Sequence, residues 1–272
     1  MKIATQTFGL KKEFEQDLSG TIQRLHDMGF TAIEPLILFQ KEQGNKTKNL
    51  WAQDTLKIAA ATMQKCGMTF PSAHIGVGIS WFIMPAKNVI EGILNVHEAY
   101  GITDFVVGGV FGSAALAKHW AKMVRTVTEG IRPHGCRLVY HNHDDEFHAI
   151  RGGNAMDIFF ENCGPNVMMQ IDIGWAGMAG DEYEIVNKYA DRVVSLHLKD
   201  FYPNYRGRYT RKNMPVEAFA PIGEGDIRTR DVLGLIPQLK NFGDTVIIDQ
   251  DAYAGDMMES LKLGIGNIQK ML

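Results

Sequence analysis

Short apolar runs alternate along the chain with longer stretches whose apolar residues recur at helical spacing. The first run, 2–7, is followed by a helix over 13–28 with Phe14, Leu18, Ile22 and Leu25 on one face and Gly29 as its stop. A strand at 31–34 leads to a helix over 50–66 ended by Gly67, and a strand over 68–74 to a helix over 87–100 ended by Gly101. The strand 104–107, the helix 114–132 with Gly135, and the strand that begins at Leu138 continue the alternation. Helices over 154–162 and 181–189 separate strands at 167–173 and 193–198. After a loop over 201–226 rich in Tyr, Arg and Pro come a helix over 228–239, a strand over 245–248 and a helix over 255–270.

Helices between nearly all strands predict parallel strands joined by helical crossovers. About eight such units in 272 residues predict an α/β fold, a single-domain (β/α)8 TIM barrel spanning 1–272. An open doubly wound sheet announces itself by a Gly-rich phosphate turn after its first strand, and TQTFGLKKE has none.

Four strands end in titratable residues. LVYHNHDDEF carries His141, His143, Asp144, Asp145 and Glu146; VMMQIDIGW carries Asp172; VVSLHLKD carries His197; VIIDQD carries Asp249. The intervals Glu146 to Asp172, Asp172 to His197 and His197 to Asp249 are 26, 25 and 52 positions, in phase with the unit, the last including the long loop. A TIM barrel gathers its strand ends at one mouth, so residues in this phase point into one pocket. Each alone is more often a helix cap, a solvated loop residue or a satisfied core histidine; four in phase favour a shared site.

Glu146, Asp172, His197 and Asp249 would surround a cation with three carboxylates and one imidazole. Such a set suits Mn²⁺ foremost, with Co²⁺, Mg²⁺ or Zn²⁺ as alternatives, at an open rather than a structural site. Glu34 and His74 end earlier strands and are candidates for substrate contact, and Trp81 and Trp175 for apolar walls, although a packed core tryptophan is as good a reading.

Composition narrows the partners. Acidic residues outnumber basic ones, for a net charge of -3, and no basic run stands out, which argues against nucleic acid. Cys66, Cys136 and Cys163 are too few and too scattered for a disulfide framework. With no signal-like N-terminus and no run long enough to span a membrane, a cytoplasmic protein is expected.

YHNHDDEF, DIGW, HLKD, IGEGDI and IDQD, in this order, resemble the sugar phosphate isomerase/epimerase superfamily of xylose-isomerase-like TIM barrels, which includes inosose dehydratase and ketose 3-epimerases. The resemblance covers essentially the whole chain. It implies metal ligation by Glu146, Asp172, His197 and Asp249, proton exchange by Glu146 and Asp249, and Lys199 and Glu224 lining the pocket, to which the local string adds His143 as acid/base helper and His141 as a substrate contact. It also admits a homo-oligomer. Three positions depart from it: His141 stands where many members have a strand-five Glu, so that His141 or His143 can replace Glu146 as ligand; Asp249 replaces a Glu; and Trp175 replaces the His of 3-epimerases.

The expected function is a metal-dependent isomerase or epimerase acting on a keto sugar or cyclitol through an enediolate. One alternative is a lyase, either an inosose-type dehydratase or a 3-keto-glycoside-cleaving enzyme. The other is a non-catalytic sugar-binding barrel.

Overall fold

The computed structural model describes residues 1–37, 51–76, 85–109, 111–151 and 153–272. Trp81 lies outside the described residues.

The barrel strands are β1 (Lys2–Gln6), β2 in two pieces (Ala32–Glu34 and Leu36–Ile37), β3 (Ala73–Ile75), β4 (Asp104–Gly108), β5 (Arg137–His141), β6 (Met168–Asp172), β7 (Val193–Leu198) and β8 (Thr245–Ile248). All pair in parallel, each with its neighbours in chain order, and β8 returns to β1 through Ile3 opposite Val246. The two pieces of β2 face different partners: Glu34 is in register with Gln6 of β1, and Leu36 with His74 of β3. Pro35 between them has no N–H to give to a ladder, so the strand breaks there and the barrel is nearly, not continuously, closed.

Alternation along the strands sorts the barrel interior into two levels. Ala4, Ala32 and Ile247 pack together in one small cluster, and Val106, Val139 and Val194 in another. Two positions on from Ala32, Val139 and Ile247 stand Glu34, His141 and Asp249. An apolar floor thus carries a polar layer at the carboxyl end. The opposite faces of the strands pack on the surrounding helices, which is why the strands read as nearly continuous apolar runs.

Four elements differ from the pattern-based expectation. The helix over 13–28 is two helices, Lys11–Gln16 and Leu18–Asp27, because Asp17 leaves the helix and caps the second through Gly20 N at 2.8 Å. The strand over 68–74 is reduced to Ala73–Ile75 and one bridge from Thr69 to Ala32, with Pro71 between them. Ile173 leaves β6 to start a helix, Ile173–Ala179. The helix over 228–239 stops at Leu233 and resumes as a single 3-10 turn at Ile236–Gln238, around Gly234 and Pro237. The expected helix stops hold: Gly29, Gly67, Gly101 and Gly135 all have positive φ, which a Cβ would strain.

The loop after β7 is an ordered strap. Asp200–Phe201 pairs antiparallel with Phe219–Ala220, and the buried Asp200 carboxylate accepts from Gly223 N, Gly225 N and Ile227 N at 2.9 to 3.1 Å. The acid of HLKD therefore folds IGEGDI around itself. No helix among the described residues is long and apolar enough to cross a membrane.

Candidate active site

Two buried groups among the described residues bring their ligand atoms within 4.8 Å of one another: His74, His141 and His197; and His141, Asp172, His197 and Asp249. Hydrogen bonds orient each ring. Gln170 Oε1 accepts from His74 Nε2 at 2.8 Å and from His141 Nδ1 at 3.2 Å, while its amide donates to Glu34 Oε1 at 2.8 Å. With Nδ1 so used, His141 keeps Nε2 as a lone-pair nitrogen 4.0 Å from Asp172 Oδ2. His197 contacts Glu34 Oε2 through Nε2 at 2.7 Å and Asp249 Oδ2 through Nδ1 at 3.1 Å. Ser72 Oγ completes the shell of Glu34.

Asp172 does two jobs. Oδ1 caps the Ile173–Ala179 helix through Trp175 N at 2.8 Å, and its backbone is held by Asn142, which bonds Asp172 N at 3.0 Å and Asp172 O at 3.1 Å. That leaves Oδ2 pointing at the cluster.

Burial and charge set the protonation of these groups. Burial would raise Glu34, but His74 and His197 beside it hold it down at about 2. Burial would lower His197, yet Glu34 and Asp249 on either side push it up to about 10. His141 is kept neutral, well below its usual value, by burial and by the neighbouring histidines. Lys199 stays protonated despite burial because its ammonium lies 3.2 Å from Asp172 Oδ2, 2.9 Å from Asp249 Oδ2 and 2.6 Å from Asp251 Oδ2.

Within the cluster, Asp249 Oδ1 is buried with no partner among the described residues, and Asp172 Oδ2 has no hydrogen bond, only the Lys199 ammonium at 3.2 Å. Unpaired buried acceptors are costly and call for a ligand. Two carboxylates and two imidazoles converging on one spot form a donor set that a divalent cation fits.

The cluster opens into a cavity of about 430 Å³ lined by Gln6, His74, His141, His143, Trp175, Lys199, Arg211, Phe219, Asp249 and Asp251, among others. Trp175 forms a wall, its ring 5.0 Å from that of Phe201, with the Lys199 ammonium 5.2 Å from its centroid. His143 is fixed by Nδ1 against Gly109 O at 3.2 Å, so Nε2 is its accepting nitrogen. Burial together with the charges of Arg211 and Lys199 holds His143 at about 3. Burial pushes Asp251 up to about 7 against the pull of Lys199.

Three expected site residues lie away from the cavity surface. Glu146 belongs to neither cation-holding group and does not line the cavity. Tyr140, one position before His141, faces the helices, where it packs on Phe111 and Phe159 with centroids 5.3 and 4.5 Å away. Its hydroxyl donates to Glu146 Oε1 at 2.8 Å, and His143 N donates to Oε2 at 3.0 Å. The turn after β5 thus folds Glu146 onto the outer face of the strand, where burial pushes it up to about 8 despite these two donors. Glu224 is exposed and accepts from Asn267 Nδ2 of the C-terminal helix at 2.9 Å. Glu34 is buried behind His197 rather than at the cavity surface. Gln170 and Asp251 were not singled out from the sequence. The repeat of Asp two positions on in IDQD is the one signal for Asp251, and Gln170 has the phase of Asp172 one strand layer down.

Residues 22–262 match the profile of the xylose isomerase-like TIM barrels. The chain belongs to that family. This agrees with the sugar phosphate isomerase/epimerase resemblance of its motifs. Among solved structures, a sugar phosphate isomerase/epimerase from Parabacteroides distasonis superposes with a TM-score of 0.76 at 19% identity, covering 98% of this chain and 93% of that one. A xylose isomerase-like protein from Mycobacterium smegmatis in complex with magnesium gives 0.71 at 14%, with coverage of 99% and 96%. A probable 3-DHS dehydratase from Bacillus anthracis gives 0.70 at 12%, with 99% of both chains covered. None of the curated proteins matches the chain in sequence.

Proposed function

We propose that the protein is a divalent-metal-dependent enzyme that removes a proton next to the carbonyl of a keto sugar or cyclitol, and so an isomerase or epimerase. The observation that carries this reading is the convergence of Asp172 and Asp249 with His141 and His197 beside the cavity, with Asp249 Oδ1 buried and without a partner among the described residues and Asp172 Oδ2 met only by the Lys199 ammonium. These four side chains would hold the cation. Two imidazoles with two carboxylates favour Mn²⁺, Co²⁺ or Zn²⁺ over Mg²⁺. When bound, the cation would stabilise negative charge on the substrate's carbonyl oxygen as the adjacent proton leaves.

The chain's own residues supply the rest. Glu34 and Gln170 orient His197 and His141, so that the ligating nitrogens are fixed before anything binds. His143 is the base: its Nε2 faces no donor among the described residues, its ring is neutral, and it lines the cavity. Asp251, near neutrality and bonded to Lys199, is the second proton-transfer group. Trp175 and Phe219 give the ring carbons of the substrate an apolar wall and displace water from it.

A lyase remains the second reading, because a carboxyl titrating at about 7, as Asp251 does, can also deliver a proton to a departing hydroxyl. The first step is the same. Incubating the protein in D₂O with 2- and 3-keto sugars and inososes, with Mn²⁺ and with chelator, tests that shared step. Metal-dependent deuterium incorporation that His143→Ala abolishes supports it, and loss of water or an aglycone in the products selects the lyase. No metal-dependent exchange with any of these compounds, together with tight sugar binding, would favour a non-catalytic sugar-binding barrel.

A further inference from the structure

The strap between β7 and the next helix brings Arg211 over the cavity. Its tip is a turn tied by Thr210 N to Asn213 Oδ1 at 2.8 Å and by Asn213 N to Thr210 O at 3.1 Å. Two acids from the turn after β5 hold this tip in place: Asp144 Oδ2 accepts from Arg211 N at 3.2 Å, and Asp145 Oδ1 accepts from Lys212 Nζ at 2.7 Å. Asp144 and Asp145 therefore anchor the strap.

Arg211 differs from the other half-buried arginines. Arg137 bonds Asp104, Arg192 bonds the carbonyls of Gly164 and Val167, and Arg206 bonds Glu182. The Arg211 guanidinium has no hydrogen bond or ion pair with any described residue, and its Nε is shielded from solvent without a partner. The two acids that line the same cavity, Asp249 and Asp251, are both engaged by Lys199. A planar fork of donors with no acceptor among the described residues, facing a cavity of small-molecule size, suits an oxyanion brought by the ligand. Arg211 and His143 line the same cavity.

We propose that Arg211 is an oxyanion-binding, specificity-determining residue, and that the substrate is a keto sugar or cyclitol bearing a carboxylate or a phosphate rather than a neutral one. This rests on reading the cavity as a sugar site and narrows what that site accepts. Phe219 and Trp175 line the rest of the cavity and would pack against the carbon skeleton.

Calorimetric titration of the Mn²⁺-supplemented protein with D-fructose, 2-ketogluconate and fructose 6-phosphate separates the possibilities. One of the two anions is expected to bind about ten- to hundred-fold tighter than fructose, the range for charge-assisted hydrogen bonds. Whichever anion it is identifies the group. Arg211→Met should remove the preference and Arg211→Lys should retain part of it, with the melting temperature and Mn²⁺ affinity of both unchanged. Equal binding of all three ligands, a preference that persists in Arg211→Met, or no binding of either anion at millimolar concentration would overturn the proposal. If Arg211→Met does not fold, the Arg211→Lys comparison alone decides. An Arg211-dependent preference without metal-dependent proton exchange would sink the catalytic reading and leave the anion site standing; exchange without the preference would do the reverse.

Discussion

His141 and Glu146 are five positions apart, both titratable and both buried, yet they serve different structures. His141 is the last residue of β5, on the face that lines the barrel, and its unbonded Nε2 looks toward Asp172. Glu146 lies beyond the strand, folded back to the outer face, with both oxygens occupied by Tyr140 and by the backbone of His143. A residue inside a strand takes its side from the two-residue period. A residue after the strand takes its side from the turn, and no period governs that.

The largest effect is expected from removing a residue of the first kind. His197→Ala takes the buried cation from between Glu34 and Asp249, leaving Glu34 to Gln170, Ser72 and His74 and Asp249 to Lys199, and should destabilise the protein by about 3 kcal/mol in denaturant unfolding. It should also abolish metal binding in a calorimetric titration. A stable variant that still binds Mn²⁺ would remove His197 from the site.

Glu146 should show itself through pH rather than metal. Its carboxyl is shifted from 4.5 up to about 8, so between those values the folded chain holds a proton that the unfolded chain has released. Its contribution is full below pH 4.5 and is lost as the pH rises to about 8, costing on the order of a few kcal/mol at about 1.4 kcal/mol per unit. Unfolding curves of wild type and Glu146→Gln at pH 5 and pH 8.5 check this: the variant should lack the decline. An identical decline in both would mean that Glu146 is not the group responsible.

Much of this was legible in the sequence. The alternation of apolar runs and helical stretches gave the barrel, because eight buried parallel strands leave a repeating signal. Asp172, His197 and Asp249 were in phase with that repeat, and each stands at a strand end in the structure. Where sequence reasoning failed, long-range contacts decide: Glu146 turns outward because Tyr140 has a hydroxyl to share with it, and Glu224 turns to Asn267 because Asp200 folds the GEGD turn around itself. Asp144 and Asp145 stood in the titratable string after β5 with no role of their own, because the strap they hold lies more than sixty residues later.

Smaller effects sharpen the same contrast. Tyr140→Phe removes the donor to Glu146 Oε1 and should cost about 1–3 kcal/mol, the penalty for a buried acceptor left unpaired, with Mn²⁺ affinity unchanged. A parallel loss of metal binding would tie the outer face of β5 to the site. Asp145→Ala breaks a partly exposed pair with Lys212 and should cost less than about 1 kcal/mol. Its visible consequence should be a weaker preference for the anionic sugar, read by the same three-ligand titration, because the strap tip that carries Arg211 is loosened.

The central claim is that the β5 contribution to the metal site is His141 and not Glu146. Titrating Mn²⁺ into His141→Ala and Glu146→Gln, side by side with wild type, tests it most directly. Binding should be lost, or weakened by at least about a hundredfold, in His141→Ala, the equivalent of roughly 2.7 kcal/mol, and should be within about twofold of wild type in Glu146→Gln. Metal retained in the histidine variant and lost in the glutamate variant would contradict it.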